Sequence, residues 1–325
     1  MATKLSLTHP WLVAVWPGMG HVALNAGYYL LAKLGMDVAA ELEAGDLFDI
    51  DHVEVKGGRI QPARRPRNRF FVWHDPKGER DLVVFLGEAQ PPIGKYPFCR
   101  QLVTFAKDLG VERVLTFAAM ATRMRPEARS RVYGAATDSD GVQELKRLEL
   151  ELVEEGQISG LNGVLLGVAA DAGLPGACLL GEMPHLFAQL PFPKASLAVL
   201  EVFTTMTGIE VDFTELADQA QVVEEQLGEL MSRVEEGFNP GEPETDAVQA
   251  DEDEDEDEDE SIPDPFAESK PEPNEAERIE GLFRQAARDR SKAFELKQML
   301  DRLGVFKQYE DRFLDLFKKG RPNAG

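Results

Sequence analysis

The apolar positions change period along the chain, and the changes mark the elements. Trp11 to Trp16 (WLVAVW) is continuously apolar, as a strand covered on both faces must be, and it runs through Pro-Gly-Met-Gly into a helical pattern from about His21 to Leu34. Val38 to Leu42 reads as the next strand. Two hairpin-like units follow, His52 to Pro62 turning at Gly57-Gly58 and Arg69 to Leu86 turning at Asp75-Pro76-Lys77-Gly78, and they predict a mixed sheet. Pro97 suits the first position of a helix that runs to Leu109 and hands over at Gly110 to a strand from Val111 to Phe117. Strands at Arg131 to Ala136 and Ala177 to Leu180, with helices at Val142 to Glu155, Asn162 to Ala172 and Lys194 to Thr207, continue an alternation that predicts a layered α/β domain.

The helix expected from Phe213 to Val234 carries a seam. Phe213, Leu216, Ala220, Val223, Leu227, Leu230 and Val234 recur at alternating spacings of three and four, with Glu and Gln on the other faces. Such a seam serves either a helix lying on its own domain or an oligomer or partner helix in which Phe213, Leu216, Val223, Leu227, Leu230 and Val234 make the contact. Downstream, prolines surround an unbroken Asp/Glu run from Asp251 to Glu260. Adjacent carboxylates repel and nothing apolar offsets the entropy of ordering them, so 239–274 is expected to be a disordered acidic linker. Ile279, Phe283 and Ala286, then Phe294, Leu296, Met299, Leu300 and Leu303, then Tyr309, Phe313, Leu316 and Phe317 mark helical faces beyond it. The expected organisation is thus an α/β domain over 1–238, the linker, a helical module over 275–319 and a tail over 320–325. The module is too short to build its own core and is expected to dock.

Composition narrows the function. The chain has 325 residues with a net charge of −23, and 241–275 holds 17 acidic side chains against one lysine. The remainder is only mildly acidic and shows no long basic face, so nucleic acid is not an expected partner. No apolar run approaches the ~20 residues of a membrane span, no signal-like core follows the start, and two cysteines, Cys99 and Cys178, make no disulfide framework. A cytoplasmic protein without membrane contact is expected.

Several residues could carry chemistry. Gly18-Met19-Gly20-His21-Val22-Ala23 fits a dinucleotide fingerprint, with Glu41 placed as the ribose acid; the same glycines also suit a plain tight turn or another anion at the helix start, with Gly18, Gly20 and His21 as its ligands. Polar residues follow predicted strands: Glu88 and Gln90, Thr122 and Arg123, Glu182 and His185. Loops at carboxyl strand ends line the usual crevice of α/β sheets. Glu88 and Gln90 are therefore ligand-binding candidates, and Glu182 with His185 a candidate acid/base pair; the competing reading is that they cap helices and satisfy loop backbone. Gln157-Ile158-Ser159-Gly160 lacks the leading glycine of a nucleophile elbow, and no phosphate loop or His-x3-His pair occurs, so no metal and no cofactor is expected. Arg64, Arg65, Arg67 and Arg69, and Arg123, Arg125, Arg129 and Arg131, form two clusters that are either solvated surface or receivers of the acidic tract.

Five blocks in order, WPGMGHVALNAGYYLLAKLG, DLVVFLGEAQP, GVERVLTFAAMATRM, GQISGLNGVLLGVAADAGLPGACLLGEMPH and PFPKASLAVLEVFTTMTGIEVD, resemble the prokaryotic members of the proteasome assembly chaperone family, second-subunit type, over about residues 10–235. The resemblance implies a three-layer α/β/α sandwich of the phosphorylase/hydrolase-like kind, homo-oligomeric assembly, and protein partners such as proteasome-like or other oligomeric assemblies. It supplies no agreed catalytic residues. Relatives that insert into the proteasome ring end in a hydrophobic-tyrosine-any-residue tail, whereas this chain ends Pro322-Asn323-Ala324-Gly325. The expected function is a non-catalytic protein-binding or assembly factor. The alternative is a phosphorylase/hydrolase-like or ligase-type enzyme acting on a small anionic molecule at the strand ends.

Overall fold

The apolar run that opens the chain forms β1 (Trp11–Val15), buried at every position. Its two faces go to two different cores: Trp11, Val13 and Val15 to one, Leu12, Ala14 and Trp16 to the other. Period-two alternation into two apolar layers is what a central strand of a three-layer domain requires. The structure, a computed structural model, describes residues 5–48, 53–61, 64–237 and 273–318. The expected acidic linker lies outside the described residues, apart from its last two, Pro273 and Asn274, which open the next helix.

The strands after β1 are β2 (Asp37–Glu41), β3 (Glu54–Lys56), β4 (Arg59–Gln61), β5 (Asn68–Trp73), β6 (Leu82–Gly87), β7 (Arg113–Thr122), β8 (Val132–Ala136), β9 (Glu151–Leu152) and β10 (Gly176–Pro184). The helices are α1 (Val22–Lys33), α2 (Lys95–Asp108), α3 (Ser139–Arg147), α4 (Gly160–Asp171), α5 (Pro193–Thr207), α6 (Thr214–Gly237), α7 (Pro273–Ala286), α8 (Ala293–Arg302) and α9 (Phe306–Asp315). The main sheet has eight strands in the order β2-β5-β6-β1-β7-β10-β8-β9. Its centre, β6-β1-β7-β10, is parallel, while β5 on one side and β8 on the other run antiparallel to their inner neighbours. The sheet is mixed, as the hairpins predict, and helices cover both faces in three layers. The β3–β4 hairpin forms a separate two-stranded sheet whose turn glycines, Gly57 and Gly58, both take positive φ (58° and 75°).

α2 and α4 pack on one face of the main sheet, and α1, α3 and α5 on the other. α6 lies over α5 on that second side. One expected element is corrected. The pattern from Val142 to Glu155 predicts a single helix, but α3 ends at Arg147, Glu149 turns in the left-handed region (φ 58°), and β9 joins the sheet edge beside Tyr133 and Gly134. Leu148, Leu150 and Leu152 also alternate at period two, and an available sheet edge decides between the two periods.

The C-terminal helices are packed into the core that holds Trp11, Val13 and Val15, on the α1 side of the sheet. Phe294 meets Tyr29 edge-on at 4.5 Å, Phe306 and Phe313 meet Tyr28 at 5.1 and 5.7 Å, and Phe317 meets Phe71 at 6.1 Å. Arg290 donates to the carbonyls of Gly35 and Met36 and to Asp37 Oδ1, and the Val38 amide donates to the Phe317 carbonyl. α1 explains why. Its residues are buried almost all round, so a second apolar layer is needed on the side away from the sheet.

Candidate functional site

The parallel strands β6, β1, β7 and β10 all end at one edge of the sheet, and the candidate residues follow them. Gly18 is extended (φ −166°) and leads into a 3-10 turn over Met19–His21. Gly20 has φ 60°, and a Cβ there would lie 2.6 Å from Met183 Sδ at the end of β10. Its amide donates to the Ala188 carbonyl (2.9 Å) and its carbonyl accepts from the Phe192 amide (2.9 Å). The His21 amide donates to the Gly18 carbonyl (3.1 Å), and His21 itself takes a left-handed φ of 49° before α1. The Gly20 amide and carbonyl therefore hold the β1 and β10 loops together, and the His21 amide closes the turn before α1. The dinucleotide arrangement fails on topology: β2 pairs with β5 rather than beside β1, and Glu41 is gripped by Arg67 through both guanidinium nitrogens that face it. That ion pair holds the Glu41 carboxyl below its ordinary range.

Gln90 is a strap. Its Nε2 donates to the Pro17 carbonyl (2.9 Å) and its Oε1 accepts from the Leu161 amide (3.2 Å), tying the ends of β1 and β6 to the start of α4. Glu182 is buried, and its carboxylate receives Arg131 Nε and Nη2 (2.8 Å each) and Thr122 Oγ1 (2.8 Å). The arginine fork keeps this carboxyl below its ordinary pKa, so it is an anion at neutral pH. His185 is exposed and its Nδ1 lies 2.8 Å from the Thr122 carbonyl. Among the described residues no hydrogen bond joins Glu182 to His185; each is attached to Thr122 through a different atom.

Glu88 belongs to a second cluster, three strand spacings of ~4.8 Å away from Glu182. It is buried, and its Oε2 accepts from Arg64 Nη2 (2.8 Å) and the Arg67 amide (3.0 Å). Burial pushes its pKa up against the pull of Arg64 and Arg69. Arg64 and Arg69 both also reach Asp311 Oδ1 at 2.7 Å, and the neighbouring Glu310 accepts from Tyr28 Oη (2.7 Å) and Lys307 Nζ (2.8 Å). Arg64, Arg67 and Arg69 thus meet α9, Glu41 and Glu88 between them. The partners Glu310 and Asp311 escaped the sequence reading, and two adjacent acids on an amphipathic helix were the only local signal. Neither thiol is poised as a nucleophile: burial pushes Cys99 and Cys178 up to about 12. No cluster of His, Cys, Asp and Glu suited to a metal occurs among the described residues.

The same edge carries most of the exposed large apolar side chains. Met19 (47% exposed) follows β1, Ile93 (66%) and Tyr96 follow β6, Leu186 (48%) follows β10, and Val53, Val55 and Ile60 sit on the β3–β4 unit between β2 and β5. Val222 on α6 is the exception. The α6 seam faces inward: Leu216, Ala220, Val223 and Leu227 are buried in the chain's own core, and Phe213 and Leu230 are partly buried against it. The side chain of Val234 lies outside the described residues. Among the described residues no helix is long and apolar enough to cross a membrane.

With this geometry in place, the likeness to known proteins is specific. The Pyrococcus furiosus protein PbaB, described as an archaeal proteasome activator, superposes with a TM-score of 0.61 at 27% identity, over 72% of this chain and 96% of that one. A PAC2 family protein from Streptomyces avermitilis gives 0.60 at 28% identity, over 71% and 100%. Pyrococcus furiosus PbaA, described as an archaeal homolog of proteasome-assembly chaperone, gives 0.55 at 26%, over 72% and 92%. Residues 12–231 match the PAC2 family, which spans the sheet, its covering helices and most of α6, and the chain belongs to that family.

Proposed function

We propose that this protein is a binding factor for protein assemblies, homo-oligomeric itself, which works through the apolar strand-end edge and not through turnover. The observation that carries the reading is the gathering of Met19, Ile93, Tyr96 and Leu186 at one end of the sheet. Exposed apolar side chains scattered singly need no explanation, but several at one edge, on loops set by a rigid sheet, suit a protein interface. The polar residues beside them support binding over catalysis. Glu182 is held as an anion by Arg131, Gln90 is a strap, and His185 Nδ1 faces the Thr122 carbonyl, with no hydrogen bond to a carboxylate among the described residues. The proteasome-related descriptions of PbaB and PbaA make proteasome-like particles the first partner class to test.

The experiment compares the unaltered protein with a Met19→Asp/Leu186→Asp variant, both checked for fold by circular dichroism. Light scattering reads self-association, and co-sedimentation with a purified archaeal 20S particle reads partner binding. The account expects the variant to lose one or both with its fold intact. Unchanged association in the variant would refute the edge as the interface.

A further inference from the structure

The β3–β4 hairpin is a sheet of its own. It is inserted between β2 and β5 at the end of the main sheet where Glu41 pairs with Arg69 and Asn68 with Gly87, which is the strand-end edge. Val55 stands opposite Ile60 in the ladder, so the two share one face, and Val53 falls on that face two positions earlier. All three are exposed, and Ile60, at 74%, is the most exposed large apolar side chain among the described residues. A lone two-stranded hairpin is marginal in water and needs another strand or an apolar surface to hold it. This chain lays no such surface on the Val53–Val55–Ile60 face.

The matching surface lies at the same end of the molecule. Met19 after β1 and Leu186 after β10 are apolar and uncovered there, with Ile93 and Tyr96 beside them after β6. Beyond the edge and the hairpin, Val222 on α6 is the one other large apolar side chain exposed among the described residues, so the opposite end of the sheet offers no receiver. A head-to-tail stack, with the hairpin of one copy on the far end of the next, therefore has nothing to hold it. Donor and receiver at one end instead suit a closed assembly in which neighbouring copies bring their strand ends together and each gives a hairpin to the other. Charge sets no strong barrier to this, because 241–275 carries most of the net charge and the remainder of the chain is only mildly acidic.

We infer that the β3–β4 hairpin is an exchange arm whose Val53–Val55–Ile60 face packs on the Met19 and Leu186 side of the strand-end edge of a second copy of this chain. The inference rests on the reading of that edge as a protein interface, and it adds which element covers the edge and from which molecule it comes.

Sedimentation velocity on the full chain over a wide concentration range tests it with an arm variant, Val55→Asp/Ile60→Asp, and the edge variant, Met19→Asp/Leu186→Asp. Each alone should self-associate at least tenfold more weakly than the unaltered protein. Mixed in equal amounts they should associate again, because an intact arm then meets an intact edge. An arm variant that associates normally while the edge variant does not would overturn the arm and leave the edge standing; normal association of both would overturn both. Two weakened variants that fail to complement would also overturn the inference, since arms would then meet arms and edges meet edges. An unaltered chain that stays monomeric would overturn it too, leaving the edge to be judged by binding to the 20S particle. Should either double variant misfold, Val55→Cys copies mixed with Leu186→Cys copies still decide, the native Cys99 and Cys178 being buried. An intermolecular disulfide between 55 and 186 is expected, and its absence between associated copies would contradict the exchange.

Discussion

Tyr28 on α1 donates its phenol to Glu310 Oε1 on α9 at 2.7 Å, across 282 positions of chain, with both side chains buried. This bond fastens the C-terminal helices to the PAC2 core. Phe306 and Phe313 pack edge-on against the same ring, so one tyrosine serves both the apolar and the polar part of the joint.

Replacing Tyr28 by Phe keeps the packing and removes the donor, leaving Glu310 with Lys307 as its remaining hydrogen-bond donor. A loss of ~1–3 kcal/mol in urea unfolding is expected. Burial, and then the Glu310 charge, push the phenol well above its ordinary pKa. Because the folded value is the higher one, this contribution is intact below about pH 10 and lost as pH rises toward the folded value. Wild type should therefore lose stability in the alkaline range more steeply than Tyr28→Phe. Parallel alkaline limbs would count against the assignment.

Glu182 and Glu88 should titrate with opposite signs. Arg131 and Thr122 depress the folded pKa of Glu182, so its contribution is present above about pH 4.3 and lost on acidification through the folded value. Burial raises the folded pKa of Glu88, so its contribution is present below about pH 4.3 and lost as pH rises through the folded value. Urea midpoints against pH should show Glu182→Gln less stable than wild type at pH 7 with the gap closing in acid. Glu88→Gln should instead gain on wild type between pH 4 and pH 7. Identical profiles for the two variants would contradict these environments.

Gly20→Ala should destabilise the chain by at least ~1–2 kcal/mol, the cost of a left-handed backbone for a residue with a Cβ. The new methyl also meets Met183 Sδ, so Gly20→Ala combined with Met183→Ala should recover the contact part and not the backbone part. Full recovery in thermal melts would show that φ at this position is relaxed.

Much of this architecture can be read locally. β1, the Gly57-Gly58 and Asp75–Gly78 turns, and the α6 seam are all written in neighbouring residues, because strand burial, turn chemistry and helix periodicity act over a few positions. The sequence blocks also carry the family resemblance that the match over 12–231 bears out. What stayed hidden depends on distance. Glu182 lies 51 positions from Arg131, Arg64 lies 247 from Asp311, and neither pairing leaves a local trace. β9 is two residues long, and the period-two leucines that lead into it overlap a helical pattern that only the sheet edge resolves. The dinucleotide fingerprint shows the converse: Gly18 and Gly20 are in place for a tight approach of loops, while the strand order that would give them a nucleotide is absent.

The central claim is that the strand-end edge is where this protein meets other proteins, and photo-crosslinking tests it most directly. A photoreactive residue is placed at Leu186 on that edge in one sample, and at Asp108, where α2 ends on the opposite side of the sheet, in another. Each is irradiated alone and with a purified archaeal 20S particle. The account predicts intermolecular crosslinks, to a second copy or to the particle, from position 186 and not from 108. Crosslinks confined to 108, or none from 186 under conditions where the protein demonstrably associates, would contradict it.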